Sequence, residues 1–196
     1  MEGEKPIQPT RRRRGAEGDV GDHPSETQEA PIMILHLSKQ LADRLKCSVN
    51  LQGMPVVQAG RLDAWSGHCF RIGRVEHVMM MNDASLYTIL MPARGLTSID
   101  SFLKVFIPRV AQVWHRFDAE FDAENQEVIV LKRTNRSLIG SMNDAIQSTK
   151  FHFEYFHEVP HDFGPIDIEK RLNMVPYKAR EYAAPFKLLP KLLAKG

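Results

Sequence analysis

Cysteine is scarce in this chain, with Cys47 and Cys69 the only two among 196 residues. Two thiols cannot build a disulfide scaffold or close a zinc site by themselves, and a chain of this length needs neither staple to fold. A reducing cytoplasm is the compartment this usage leads one to expect. Long hydrophobic runs are missing as well. The richest, Val78 to Met81, is the length of a strand and far short of the roughly 18 to 20 apolar residues that span a bilayer, so an integral helical membrane protein is excluded. No Gly-x-Gly-x-x-Gly, His-Glu-x-x-His, nucleophile elbow or Ser-His-Asp order occurs, and the usual signatures of dinucleotide, zinc-protease and serine-hydrolase sites are therefore absent.

Charge of one sign is also lacking over most of the chain. Residues 33–164 hold 14 basic and 14 acidic side chains, whereas residues 1–32 hold 5 basic against 7 acidic, and residues 165–196 hold 7 basic against 3 acidic. A main body with no formal net charge argues against broad nucleic-acid binding, which needs many cations to neutralise phosphates. Contact through the cationic C-terminal segment stays open as a reading that is not favoured.

Apolar side chains are nearly absent from residues 1–31, where Ile7 and Val20 stand among Gly, Pro, Glu and Arg, so this stretch is expected to be a disordered tail. Arg11 to Arg14 are followed by no apolar segment, which argues against an export signal. Patterned sequence begins abruptly at Ile32-Met33-Ile34-Leu35-His36, which makes Met33 a candidate translation start and the tail an upstream mis-call.

From there the pattern reads as a strand, a short helix capped by Ser38 with Leu41 and Leu45 on one face, and a loop over 50–60. A three-strand antiparallel meander near 64–72, 75–81 and 86–91 follows. The residues Ile99, Phe102, Leu103, Phe106, Val110, Val113, Trp114 and Phe117 then form one helical stripe, which Pro108 is expected to kink or divide. The β-rich run Val128-Ile129-Val130 is expected to be an inner strand. Another helix starts near Ser137 and buries Leu138, Met142, Ala145, Ile146 and Thr149.

The expected fold class is α+β: an antiparallel or mixed sheet of about five strands with helices mainly on one face, in the order β α β β β α β α. The expected division is a single domain over 32–159 and an extended, Pro-rich docking arm over 160–196, where prolines at 160, 165, 176, 185 and 190 forbid one long helix.

The tetrapeptide Met-Asn-Asp-Ala occurs twice, at Met81 to Ala84 and at Met142 to Ala145. In the first copy Asn82 and Asp83 sit at a strand exit, where short polar side chains suit a turn. In the second, Asn143 and Asp144 fall mid-helix, where both have poor propensity and need a partner or solvent. Ser137, Ser141 and Asp144 share one strip beside Gly140, so the strip admits close approach of another element, with Asp144 expected to accept hydrogen bonds there. The functional alternative is a pocket in which Asp144 is an acid, base or cation ligand. Arg133, Asn135, Arg136 and Ser137 form a weak anion-site pattern at a helix start, which Asn135 or Ser137 as an ordinary cap largely explains.

His152, Glu154, His157, Glu158, His161 and Asp162 crowd together but face different ways around a helix that Pro160 ends, so no metal is expected. Trp65 and Trp114 read as core anchors, and Met79 to Met81 as the filling of a sheet interior.

The segments Trp65, Met81-Asn82-Asp83-Ala84-Ser85 with Leu86-Tyr87-Thr88, and Arg136-Ser137-Leu138-Ile139-Gly140-Ser141-Met142-Asn143-Asp144 carry a resemblance, together with Leu172-Asn173, Pro176, Tyr182 and Pro185. They resemble a family of small bacterial proteins of unknown function, often encoded on plasmids and mobile elements. The resemblance covers roughly Met33 to Leu193, with Arg136 to Asp144 its most specific part. It implies a compact cytoplasmic domain with polar residues near the two Asn-Asp pairs, and it brings no established activity. The C-terminal pattern is also similar to the tail of some retroviral-type integrase catalytic domains, but the preceding strand order does not match their ribonuclease-H-like sheet.

Two functions follow as expectations. The first is a non-enzymatic binding or regulatory protein that recognises a protein or small ligand around Asn82, Asp83, Arg136, Ser137, Ser141, Asn143 and Asp144, with no cofactor, no metal and no membrane partner. The alternative is a small metal-assisted hydrolase or nuclease with Asp83 and Asp144 as cation ligands and Arg136 on phosphate, which requires the two carboxylates within roughly 4 to 5 Å of each other.

Overall fold

The computed structural model describes residues 32–49, 62–156 and 164–195. The tail over 1–31, the loop expected over 50–60, and His157, Glu158, His161 and Asp162 lie outside the described residues. The elements are β1 (Ile32–Leu37), α1 (Lys39–Leu45), β2 (Ala64–Ile72), β3 (Val75–Asn82), β4 (Thr88–Pro92), α2 (Ile99–His115), β5 (Glu127–Lys132), α3 (Arg136–Phe156), α4 (Pro165–Met174), a short 3-10 turn (Lys178–Arg180) and α5 (Pro185–Leu193). The fold is α+β around one mixed sheet of five strands in the order β4-β3-β2-β1-β5. Short turns make β2, β3 and β4 an antiparallel meander, as expected, while β1 runs parallel to both β2 and β5.

Two expectations need correction. The Val128-Ile129-Val130 run is an edge strand, not an inner one, because the crossover from β4 through α2 delivers β5 to the outer side of β1. Its apolar side chains are accordingly half-buried. The helices also do not gather on one face. In β1, Met33, Leu35 and Leu37 join the core made with α1, α2 and α5, whereas residues of α3 and α4 pack with Phe70, Met79, Met81 and Leu90 on the other side. Successive strand residues point to opposite faces, so a strand buried at every position, as Val78 to Met81 is, needs cover on both.

Local chemistry explains the helices. Ser38 Oγ accepts the Leu41 N–H and starts α1, which ends at Lys46 in a left-handed conformation. Gly67 lets α1 lie close to the sheet, because a Cβ there would meet Met80 Sδ at 2.6 Å and Leu41 Cδ2 at 2.9 Å. A reciprocal Ser98–Ser101 capping box starts α2, which runs unbroken through the exposed Pro108 and buries Phe102, Phe106, Val110, Val113 and Trp114. Trp65 meets Phe106 edge-on at 5.3 Å, which anchors β2 to that stripe.

Pro165 and Pro185 stand in the first turns of α4 and α5, where a missing N–H costs nothing. α4 runs along β4 and closes that edge: Asn173 Oδ1 accepts the Thr88 N–H at 2.7 Å, and Glu169 Oε2 accepts the Leu90 N–H at 3.0 Å. Arg109 of α2 reaches the same Glu169 oxygen at 2.6 Å, so both helices grip this edge. Among the described residues no helix is long and apolar enough to cross a membrane.

Candidate functional site

The turn after β3 is built by Asn82. Its Oδ1 accepts the Ser85 N–H at 3.0 Å and the Ser85 hydroxyl at 2.9 Å, and its Nδ2 donates to Leu62 O and Ala64 O. Every capacity of the amide is used inside the protein, so Asn82 shapes the turn and is itself fully buried. The turn closes at Leu86, whose backbone is left-handed (φ 62) and whose N–H donates to Asn82 O. A branched, buried residue accepts that conformation only where its surroundings fix it.

Asp83, next in the chain, faces the α3 side of the sheet, and its Oδ2 lies 2.8 Å from Nδ1 of His36 on β1. The residue between them is Ala64, paired to Ile34 in β2 and bonded through its carbonyl to the Asp83 N–H, and its small side chain leaves room for the imidazole to reach across. A carboxylate can only accept, so Nδ1 of His36 carries a proton in this pair, and Nε2 is the ring nitrogen left for another partner. Asp83 keeps only 3% of its side chain exposed, whereas His36 keeps 23%. The carboxylate is thus a buried support and the imidazole its accessible end.

Two buried polar atoms beside this pair have no hydrogen bond among the described residues: Asp83 Oδ1 and the hydroxyl of Ser66, the β2 residue in register with His36. Arg180, in the 3-10 turn, donates from Nε to Ala84 O at 2.7 Å and from Nη2 to Asp83 O, fastening the C-terminal segment to the Asn82–Ser85 turn.

The second Asn-Asp pair is placed differently. Ser141 is buried on α3, but Arg136, Ser137, Asn143 and Asp144 are exposed. Asp144 accepts no hydrogen bond among the described residues, which corrects the expectation of a bonded mid-helix acid: solvent is its partner. Its charge is still felt by Tyr177. Burial, aided by the Asp144 carboxylate, pushes the Tyr177 hydroxyl up to about 12. Met81 of the first tetrapeptide shares an apolar cluster with Met142 and Ala145 of the second, while the C-terminal segment links the two polar pairs, since α3 touches the Lys178–Arg180 turn and Arg180 donates to Asp83 O. The helix start at Arg136 is capped by Asn135, whose Oδ1 accepts the N–H groups of Ser137 and Leu138 at 3.1 and 3.2 Å. Arg133 turns inward and donates to Met142 Sδ.

Among the described residues no group of three or more His, Cys, Asp or Glu side chains is arranged to hold a metal ion. His36, Ser66 and Arg180 are the site residues missed by sequence reasoning. His36 did leave a signal, as the one polar side chain inside an apolar strand; Arg180 left none, because it bonds to carbonyls nearly a hundred residues away.

The chain belongs to a family described as a domain of unknown function (DUF6933), whose model matches residues 34–188. No curated protein and no solved structure matches it.

Proposed function

For this member of a family without an assigned activity, we propose a non-enzymatic binding or regulatory role, in which a small polar ligand is recognised at the surface formed by His36, the Asn82–Ser85 turn and α3. The observation that carries this reading is the His36–Asp83 pair: a buried carboxylate holds Nδ1 and the direction of a partly exposed imidazole, leaving Nε2 as the ring nitrogen for one hydrogen bond with a group from outside. Exposed Ser137, Asn143 and Asp144 add polar contacts along α3, while buried Asn82, Asp83 and Ser141 serve as supports. In this reading residues 160–196 act as a docking arm that positions the site through Arg180. A bacterial, cytoplasmic setting on plasmids or mobile elements belongs to the same proposal and is supported by the sequence motifs alone.

Ligand-observed NMR with fragments bearing hydroxyl, amide or ammonium donors tests it. Binders are expected whose signals are lost with His36→Ala and weakened with Asp83→Asn; a screen whose hits are indifferent to both variants would refute the reading. The metal-assisted hydrolase finds less support, because Asp83 is buried against His36 whereas Asp144 is exposed on α3. Calorimetric titration with Mg²⁺ and Mn²⁺ decides it: no saturable heat is expected, and cation binding lost in both Asp83→Asn and Asp144→Asn would restore the enzyme.

A further inference from the structure

Beyond His36, toward the end of β1, the sheet carries a different charge. Leu37 pairs with Gly67 of β2 and Lys132 of β5, and the register continues as Ser38 N–H donates to Gly67 O and Arg133 N–H to Leu37 O. Ser38, His68 and Arg133 therefore stand side by side across three parallel strands, and alternation turns His68 and Arg133 to the α3 side. From here β1 leads into α1 on one face of the sheet and β5 into α3 on the other. The crevice outside such carboxyl ends, where neighbouring parallel strands send their helices to opposite faces, is where open sheets take ligands.

Arg133 is half-buried, yet of the five N–H donors a guanidinium offers, only one has a partner among the described residues, the Met142 thioether at 3.0 Å. Its Nε and Nη2 are unpaired without being shut off from solvent, and so is Nε2 of His68. Burial holds the Arg133 pKa below the usual guanidinium range, with no carboxylate offsetting the loss of water. Burial, with the Arg133 charge behind it, also holds His68 below the ordinary imidazole value, so that ring adds no second charge near neutral pH. No Asp or Glu occurs in residues 34–42, 64–75 or 128–143, whereas Lys39 and Arg136 stand exposed within three residues of the row. Asp83 does not fill the gap. Its N–H is bonded to Ala64 O, four β2 residues from His68, about 13 Å along the strand.

We propose that Arg133 holds the carboxylate of a small organic monoanion, with Nε2 of His68 as a second contact. A carboxylate matches the guanidinium fork through two parallel hydrogen bonds. One unpaired cation is neutralised by one negative charge, which selects a carboxylate over a phosphate dianion. Ser38 Oγ already accepts the Leu41 N–H, so its hydroxyl proton is available to His68 Nδ1, 2.8 Å away. The ring proton then sits on Nε2 and donates to the same anion. This place adjoins the His36 site but does not depend on it.

Butyrate is the probe, with its neutral isostere butyramide and inorganic phosphate as controls, each titrated into the full chain at constant ionic strength and followed by backbone and Arg side-chain shifts. Saturable binding of butyrate is expected with a dissociation constant of about 5 mM or tighter. Shifts should centre on Arg133 and His68, and both controls should bind more weakly. Arg133→Met, which keeps an unbranched side chain against Met142, should weaken butyrate roughly tenfold or more while the thermal midpoint holds or rises. Arg133→Lys, which keeps the charge without the fork, should weaken it roughly three- to tenfold. Absence of saturation in the wild-type chain, equal affinity for butyramide, tighter binding of phosphate, or butyrate binding that survives Arg133→Met would overturn the proposal. His36→Ala should leave butyrate affinity within roughly twofold; a larger loss would place the anion at His36 and overturn the proposal. Fragments lost with His36→Ala but kept with Arg133→Met would support the reading at His36 alone, which separates failure here from failure there.

Discussion

Asp83 and Asp144 occupy the same place in the same tetrapeptide, yet one is a buried hydrogen-bond acceptor and the other a solvated surface charge. Substitution should separate them. Asp83→Asn puts an amide donor against the His36 N–H and is expected to cost about 1 to 3 kcal/mol, measured by urea denaturation. Asp144→Asn is expected to stay within about 0.5 kcal/mol of wild type, as surface changes usually do; a loss above about 1 kcal/mol would mean that Asp144 has a structural partner after all. Asn82 and Asp83 were legible as turn formers because that chemistry is local. The bond from Asp83 to His36 was not, since it spans 47 residues and depends on which strands become neighbours.

Among the elements, α2 was readable almost residue by residue, because a 3.6-residue period is written along the chain and Phe102, Phe106, Val110 and Val113 obey it. Phe106→Ala should cost about 3 to 5 kcal/mol in chemical denaturation, and a change below about 1 kcal/mol would show that the stripe contributes little to the core. Gly67→Ala tests the contact between α1 and the sheet. A methyl group there pushes against Met80, Leu37 and Leu41, with an expected loss of about 1 to 3 kcal/mol. The position of β5 could not be read the same way. Val128 to Val130 look like any buried strand in isolation, and only the crossover through α2 decides that they form an edge. Cover on both faces was hinted at by four consecutive apolar residues at Val78 to Met81, since a half-exposed strand would alternate.

For the molecule as a whole, the buried imidazoles set a dependence on pH. Burial, with a further contribution from the Arg133 charge at His68, holds His68 and His77 below the ordinary imidazole value. The unfolded chain therefore binds more protons than the folded one just below pH about 6.5, so stability rises with pH through that window and falls on acidification. The thermal midpoint is expected to drop between pH 7 and pH 5.5, and the drop should be smaller in His77→Gln; an equal drop in both would show that His77 does not titrate with unfolding. The two sides of the sheet also differ in a way that bears on how copies of this chain can meet. At β4, the amides of Thr88 and Leu90 are already occupied by Asn173 and Glu169, whereas β5 is hydrogen-bonded among the described residues only to β1. A strand template open on one side alone cannot be passed along from copy to copy. As far as the described residues go, association through the β5 edge would therefore close as a symmetric pair and would not grow into a fibre.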